Sequence, residues 1–147
     1  MNYRKATIAD REQIANLMIM LHDDLPLQEA LDEYDYFLSK DVFFVVCVGE
    51  QIIAYIHGAI RTDYVEGSEQ YRDPKVGYIE SLFVLEAYRK RGVSRKLCKM
   101  LEDWSIEKGA KEFASDAYAD NNESIAFHRA IGFEVSRPLV GFIKKLK

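Results

Sequence analysis

The spacing of apolar residues changes period several times along the chain, and each change marks an element. Tyr3 to Ala6 has the character of a short strand. Asp10 then stands where a helix cap is expected, and Ile14, Leu17, Met18 and Leu21 repeat at helical spacing. A second short helix is predicted from Leu27 to Leu38. Phe43 to Val48 is an unbroken β-favouring run, and Gly49-Glu50 supplies the two-residue turn that returns Gln51 to Arg61 as its antiparallel partner. The polar stretch Thr62 to Lys75, with Gly67 and Pro74, reads as a loop. Val76 to Val84 is the next strand. Val93 to Lys108 is a helix with Val93, Leu97, Leu101 and Trp104 on one face, ended by Gly109. Glu112 to Asp116 reads as a fifth strand and Ser124 to Ile131 as a short helix stopped by Gly132. Phe133 to Val135 and Val140 to Lys145 are expected to close the chain as strands.

Hairpins first and a strand-helix-strand unit later predict an α/β (α+β) fold with helices on both faces of a mixed sheet. A right-handed crossover makes the fourth and fifth strands parallel neighbours. The length of 147 residues suits one domain. With 48% hydrophobic and 30% charged residues, the chain matches a water-soluble globule. It shows no signal-peptide stretch and no run near the roughly 20 apolar residues of a membrane span, so a cytoplasmic protein without a membrane partner is expected. Cys47 and Cys98 sit in apolar surroundings and read as buried thiols.

Charge changes the picture more by its distribution than by its sum. A net −4 weighs against nucleic acid as the partner. From Glu12 to Ser39 there is no Lys or Arg, while Asp23, Asp24, Glu29, Asp32, Glu33 and Asp35 crowd together; Arg89, Lys90, Arg91, Arg95, Lys96 and Lys99 form the opposite run. Together these suggest one polyanionic and one cationic ligand. The basic run also opens a long amphipathic helix. A helix start leaves N–H groups unpaired and favours an anion, Gly92 allows close approach, and Ser94 is small.

The segment Leu82 to Ser94 resembles the signature of the GNAT superfamily of N-acetyltransferases, L-x-V-x-x-x-x-R followed by the R/Q-x-x-G-x-G/A loop. Glu86 stands where Pro is usual and Ser94 where Gly or Ala is usual. Asn121-Asn122-Glu123-Ser124-Ile125-Ala126-Phe127-His128 with Gly132-Phe133 is similar to the family's second signature. The resemblance implies a mixed, mostly antiparallel sheet of about six or seven strands flanked by about four helices, with splayed central parallel strands. It implies acetyl-CoA as cosubstrate and no metal. Arg89, Lys90, Arg91, Gly92, Val93 and Ser94 would hold the pyrophosphate. The backbone of Leu82, Phe83 and Val84 would meet pantetheine, and Asn121, Ser124 and Phe127 would complete the cofactor site.

A closer resemblance concerns the acceptor. Ile60 to Gly67, Ile79 to Leu85 and Ala114-Ser115-Asp116 look like the corresponding stretches of aminoglycoside 6'-N-acetyltransferases, which acetylate a primary amine on a polycationic sugar. The match assigns Glu80 and Asp116 to the acceptor and Tyr64 to the pocket wall, and puts His128 where most of the superfamily has Tyr. It also suggests a homodimer, with Val140 to Lys145 extending a sheet across a two-fold axis. Chemistry points the same way: an ammonium-bearing acceptor needs carboxylates to hold it, and Glu80 lies inside an otherwise apolar strand, where an idle charge would be expensive. As a weak base Glu80 is expected to position the amine and pass its proton through water, with His128 protonating the leaving thiolate. Cys98 has no evident base, so direct transfer in a ternary complex is expected. Arg137 stands where an acid would suit a cation. His22 and His57 have no supporting partners in the sequence. A polyamine, amino acid or protein amine, or a CoA-binding module without catalysis, are the competing readings.

Overall fold

A strand buried on both faces needs a layer on each side, and Val42–Val48 (β2) is buried in all but its last residue. Phe43, Val45 and Cys47 meet Ile14, Leu17 and Met18 of helix α1 (Arg11–Leu21) and Ala30 and Tyr34 of α2 (Leu27–Leu38). Val42, Phe44 and Val46 point to the other side, against Val93, Leu97, Leu101 and Trp104 of α3 (Val93–Glu107). The period of two thus delivers one apolar run to two cores. The structure is a computed structural model that describes residues 1–70 and 72–147; Tyr71, within the predicted loop, lies outside the described residues.

The strands lie in chain order: β1 (Asn2–Lys5), β2, β3 (Gln51–Arg61), β4 (Val76–Val84) and β5 (Glu112–Ala114). Neighbours are antiparallel until β4 and β5, which are parallel and joined through α3. Glycines let that helix sit close: a Cβ on Gly58 would strike Leu101, and one on Gly77 would strike Ser105. Two irregularities of β4 shape the region that follows. His57 faces Ser81 while Gly58 faces Ile79, so Glu80 is the extra residue of a bulge on β4. Pairing between β4 and β5 stops at Tyr78 opposite Ala114, although β4 runs on to Val84. The two strands part from Ile79 onward.

Four α-helices and five strands form among the described residues, the last helix being α4 (Asn122–Ala130). This corrects the sequence-based expectation of six or seven strands. Neither Phe133 to Val135 nor Val140 to Lys145 is a strand here, and Phe142 and Ile143 are 93% and 96% exposed. A strand needs a neighbour for its N–H and C=O groups, and the folded chain offers this segment none. The fifth strand also ends at Ala114, before Asp116. Asp10 occupies the cap position of α1, but its carboxylate turns back to accept from the Thr7 N–H at 2.8 Å and to pair with Arg4.

Candidate active site

The end of β4 and the start of α3 form one half of the site. A bond from the Leu85 N–H to the Ile53 carbonyl, 2.9 Å, sets the phase of the antiparallel ladder. With Ile56 opposite Leu82 and Ala54 opposite Val84, the N–H and C=O of Leu82 and Val84 point away from β3, into the gap left by β5. After Val84 the chain winds through two left-handed residues, Lys90 (φ 62°) and Gly92 (φ 79°). A Cβ on Gly92 would meet nothing within 4 Å, so glycine is favoured there by its φ and not by crowding, and the space in front is open. The first helical bond joins the Lys96 N–H to the Gly92 carbonyl at 3.1 Å. The N–H groups of Val93, Ser94 and Arg95 therefore have no helical partner, the arrangement that receives an anion.

The basic run is less unified than its sequence suggests. Arg89 donates through Nε to the Val84 carbonyl at 2.9 Å, fixing the turn. Lys96 stands over the Tyr3 ring, Arg95 reaches the Ala130 carbonyl, and Lys99 pairs with Asp103. Lys90 and Arg91 remain at the turn itself, Arg91 stacked near Tyr88 at 5.4 Å.

The other half lies earlier on β4. The bulged Glu80 is half-buried and receives both Nε and Nη2 of Arg61, each at 2.9 Å. Arg61 stacks on Tyr78 at 3.4 Å, and the Tyr78 hydroxyl donates to Asp116. Burial first, then the neighbouring Asp116, pushes that hydroxyl up to about 12. Val65 packs with Val76 and Tyr78, which brings the exposed Tyr64 to the edge of the same region. The loop is clasped to β5 by Glu112, which accepts from Ser68 Oγ at 2.5 Å and Gln70 Nε2 at 2.7 Å. Arg137 turns to Glu66 at 3.3 Å. His57 is paired with Asp41 at 2.8 Å and stacked on Phe43 at 4.3 Å; burial outweighs Asp41 and holds the imidazole below its ordinary value. Burial also pushes the Cys98 thiol up to about 12, so no thiolate is available there.

Helix α4 holds the remaining candidates. Asn121 caps it, its side-chain oxygen accepting from the Ser124 N–H at 3.1 Å. His128 Nδ1 lies 2.7 Å from the Ser124 carbonyl, which can only accept, so Nδ1 carries the proton of the neutral ring. Nε2 then accepts from Ser115 Oγ at 2.8 Å. Phe127 packs against the core on the α3 side.

An open strand edge that runs into an anion-binding helix start is the arrangement expected of a CoA ligand. Over residues 12–133 the chain matches the model of the acetyltransferase (GNAT) family. The chain belongs to that family. Within the GNAT family it is similar to an aminoglycoside N(6')-acetyltransferase type 1 of Acinetobacter haemolyticus, 32% identical over 147 residues and 99% of each chain. The ligand-free crystal structure of an aminoglycoside 6'-N-acetyltransferase from Acinetobacter haemolyticus matches at TM-score 0.89 and 32% identity over 100% of both chains. A structure of AAC(6')-Iy in complex with the bisubstrate analog CoA-S-monomethyl-acetylneamine matches at TM-score 0.90 and 27% identity, covering 99% of this chain and 98% of that one.

Of the residues singled out in the GNAT signatures, Leu82, Val84, Gly92, Val93 and Ser94 share one open edge and its adjoining turn. Glu80 and Asp116 are joined through Arg61 and Tyr78. Phe83 points to the opposite core, beside α1 and α2. Sequence reasoning assigned no role to Arg61, Tyr78, Ser115 or Asp41. Tyr78 was within reach of it, since it lies two residues before Glu80 on one strand. Arg61 was not, because β3 pairs it with Val76 and only its length carries it across to Glu80.

Proposed function

We infer that this protein is an acetyl-CoA-dependent N-acetyltransferase of one domain that acetylates the 6'-amine of an aminoglycoside by direct attack in a ternary complex. One observation carries the reading: along β4, the acidic Glu80 bulge precedes the N–H and C=O of Leu82 and the N–H of Val84, which turn away from β3 and lead to the Gly92 turn. Amine and thioester would meet where β4 leaves β5. The nitrogen lone pair forms the C–N bond, the C–S bond breaks with its electrons going to sulfur, nitrogen loses a proton and sulfur gains one. Glu80 positions the amine, and the proton of the amine passes to water. A β4 N–H turned into the gap polarises the thioester carbonyl. His128 can deliver a proton to sulfur only as the imidazolium, through Nε2 and the Ser115 hydroxyl, after Nε2 has taken up the proton that the amine releases to water, because its Nδ1 proton is held by Ser124. Asn121 and the amides of the Gly92 turn hold CoA, and Tyr64 lines the acceptor pocket.

The protein is further proposed to be cytoplasmic and homodimeric. Among the described residues no helix is long and apolar enough to cross a membrane. For the dimer, the outer edge of β5 has no strand beside it among the described residues, and residues 138–147 leave the body with Leu139, Val140, Phe142, Ile143 and Leu146 exposed. A second copy presents the same open edge and the same arm, so reciprocal exchange covers both.

The decisive assay measures CoA release from acetyl-CoA against a panel of aminoglycosides and polyamines. Turnover is expected with aminoglycosides carrying a 6'-amine. Glu80→Gln and Asp116→Asn should each lower turnover about 10²-fold while leaving acetyl-CoA binding by calorimetry unchanged. No turnover of any 6'-amino sugar at millimolar levels, or full activity in both variants, would remove the reading.

A further inference from the structure

The two acidic residues of the acceptor site are not equivalent. Glu80 is held by a cation through two bonds of 2.9 Å, whereas Asp116 receives the neutral Tyr78 hydroxyl. Glu80, Arg61, Tyr78 and Asp116 form one connected array, since the Arg61 guanidinium also lies 3.4 Å from the Tyr78 ring centre. Its net charge is −1, and that charge resides at the Asp116 end.

This asymmetry bears on the chemistry of the nitrogen. An ammonium has no lone pair and cannot attack a thioester, yet two unopposed carboxylates would hold the acceptor amine as a cation. Resting on the acceptor assignment above, we propose that Arg61 is a positioning residue that separates the tasks of the two carboxylates. It fixes and neutralises Glu80, so that the reacting nitrogen meets that carboxylate as a free amine. Asp116 keeps the charge that draws another ammonium of the polycation.

Geometry favours a guanidinium that stays in place when the acceptor enters. The pair is bidentate, and the ring beneath it opposes any swing. Each Glu80 oxygen accepts one bond from Arg61 and retains a second lone pair for an amine N–H. Three ionisable groups of β3 and β4, in the array or beside it, keep their charge across the useful pH range. From β3, His57 is held neutral by burial although Asp41, Glu80 and Glu33 of α2 oppose this. Tyr55 is pushed up to about 12 by burial, as is Tyr78 of β4. None of the three changes charge from about pH 7 to about pH 10.

The test is the pH profile of kcat and of the acceptor KM for Arg61→Met and Arg61→Lys, with an aminoglycoside bearing a 6'-amine. In Arg61→Met the acid limb of kcat should move up by about one pH unit, leaving kcat about tenfold low at pH 7 and within about twofold of wild type near pH 9. The acceptor KM at pH 7 should fall, because the ammonium is then held more tightly. Arg61→Lys, which keeps the charge, should leave the limb near its original position. Should the Met variant not fold, Arg61→Gln reads the same limb. A kcat reduced by one constant factor at every pH would reduce Arg61 to a structural brace and overturn the proposal, as would an unmoved limb with a raised KM. A wild-type enzyme that binds acetyl-CoA yet turns over no amine would overturn the acceptor assignment and the proposal with it. Turnover with an unmoved limb would overturn the proposal alone.

Discussion

Asp10 was legible as a helix cap and is used for something else. Its carboxylate accepts from Nη1 and Nη2 of Arg4 and from the Thr7 N–H, all at 2.8 Å, and is 6% exposed. The Arg4 bonds hold the carboxyl below its usual range, against the opposing effect of burial. A depressed acid contributes stability above its unfolded pKa of about 3.9, and loses it as pH falls through the native value. Asp10→Asn should therefore lower stability at pH 7 by about 1–2 kcal/mol, the exposure of Arg4 limiting the effect. Urea unfolding at several pH values should show the gap between wild type and variant closing as pH falls below the ordinary carboxylate range. Single residues were readable where their chemistry conflicted with their surroundings. A carboxylate inside an apolar strand marked Glu80, and a glycine before a helix marked Gly92. Arg61, the partner of Glu80, was not readable, and neither was Ser115, the partner of His128, because both look ordinary until the fold brings them together.

Among the elements, periodicity located all four helices and the first five strands, with shifts of only a residue or two at most ends. What it could not express is how closely they pack. Gly58 and Gly77 gave no signal as strand residues, yet they are where α3 lies against the sheet. Gly58→Ala should push Leu101 off its seat and destabilise the protein by about 1–3 kcal/mol in urea unfolding. A second change, Leu101→Ala, should cost less in the Gly58→Ala background than in wild type, because the added methyl fills part of the space it vacates. Additive losses would place the strain elsewhere. The same packing sets the candidate site: α3 holds the Gly92 turn at the end of β4, so a shift of the helix would move the unpaired amides of Val93, Ser94 and Arg95 relative to Glu80.

On the scale of the whole molecule, the arm of residues 138–147 is the feature one chain leaves unfinished. Its apolar side chains lie in water, where burying each would contribute about 1.5–3 kcal/mol. Deleting residues 138–147 should leave the monomer body folded by circular dichroism and abolish dimers in light scattering, together with the concentration dependence of Tm. Full-length protein that stays monomeric at every concentration would rule out the exchange. The order of elements, the glycine-centred turn before α3 and the carboxylate of Glu80 within an apolar strand were determined by the sequence, because periodicity, glycine and misplaced charge are local properties. Tertiary structure alone decided where the splay of β4 and β5 begins, after Tyr78, that Glu80 sits on a bulge against Arg61, and that the closing segment forms no strand within its own chain. Each of these depends on which backbone lies beside which, and a hydrogen-bonding edge carries no mark in the sequence of the partner it will take.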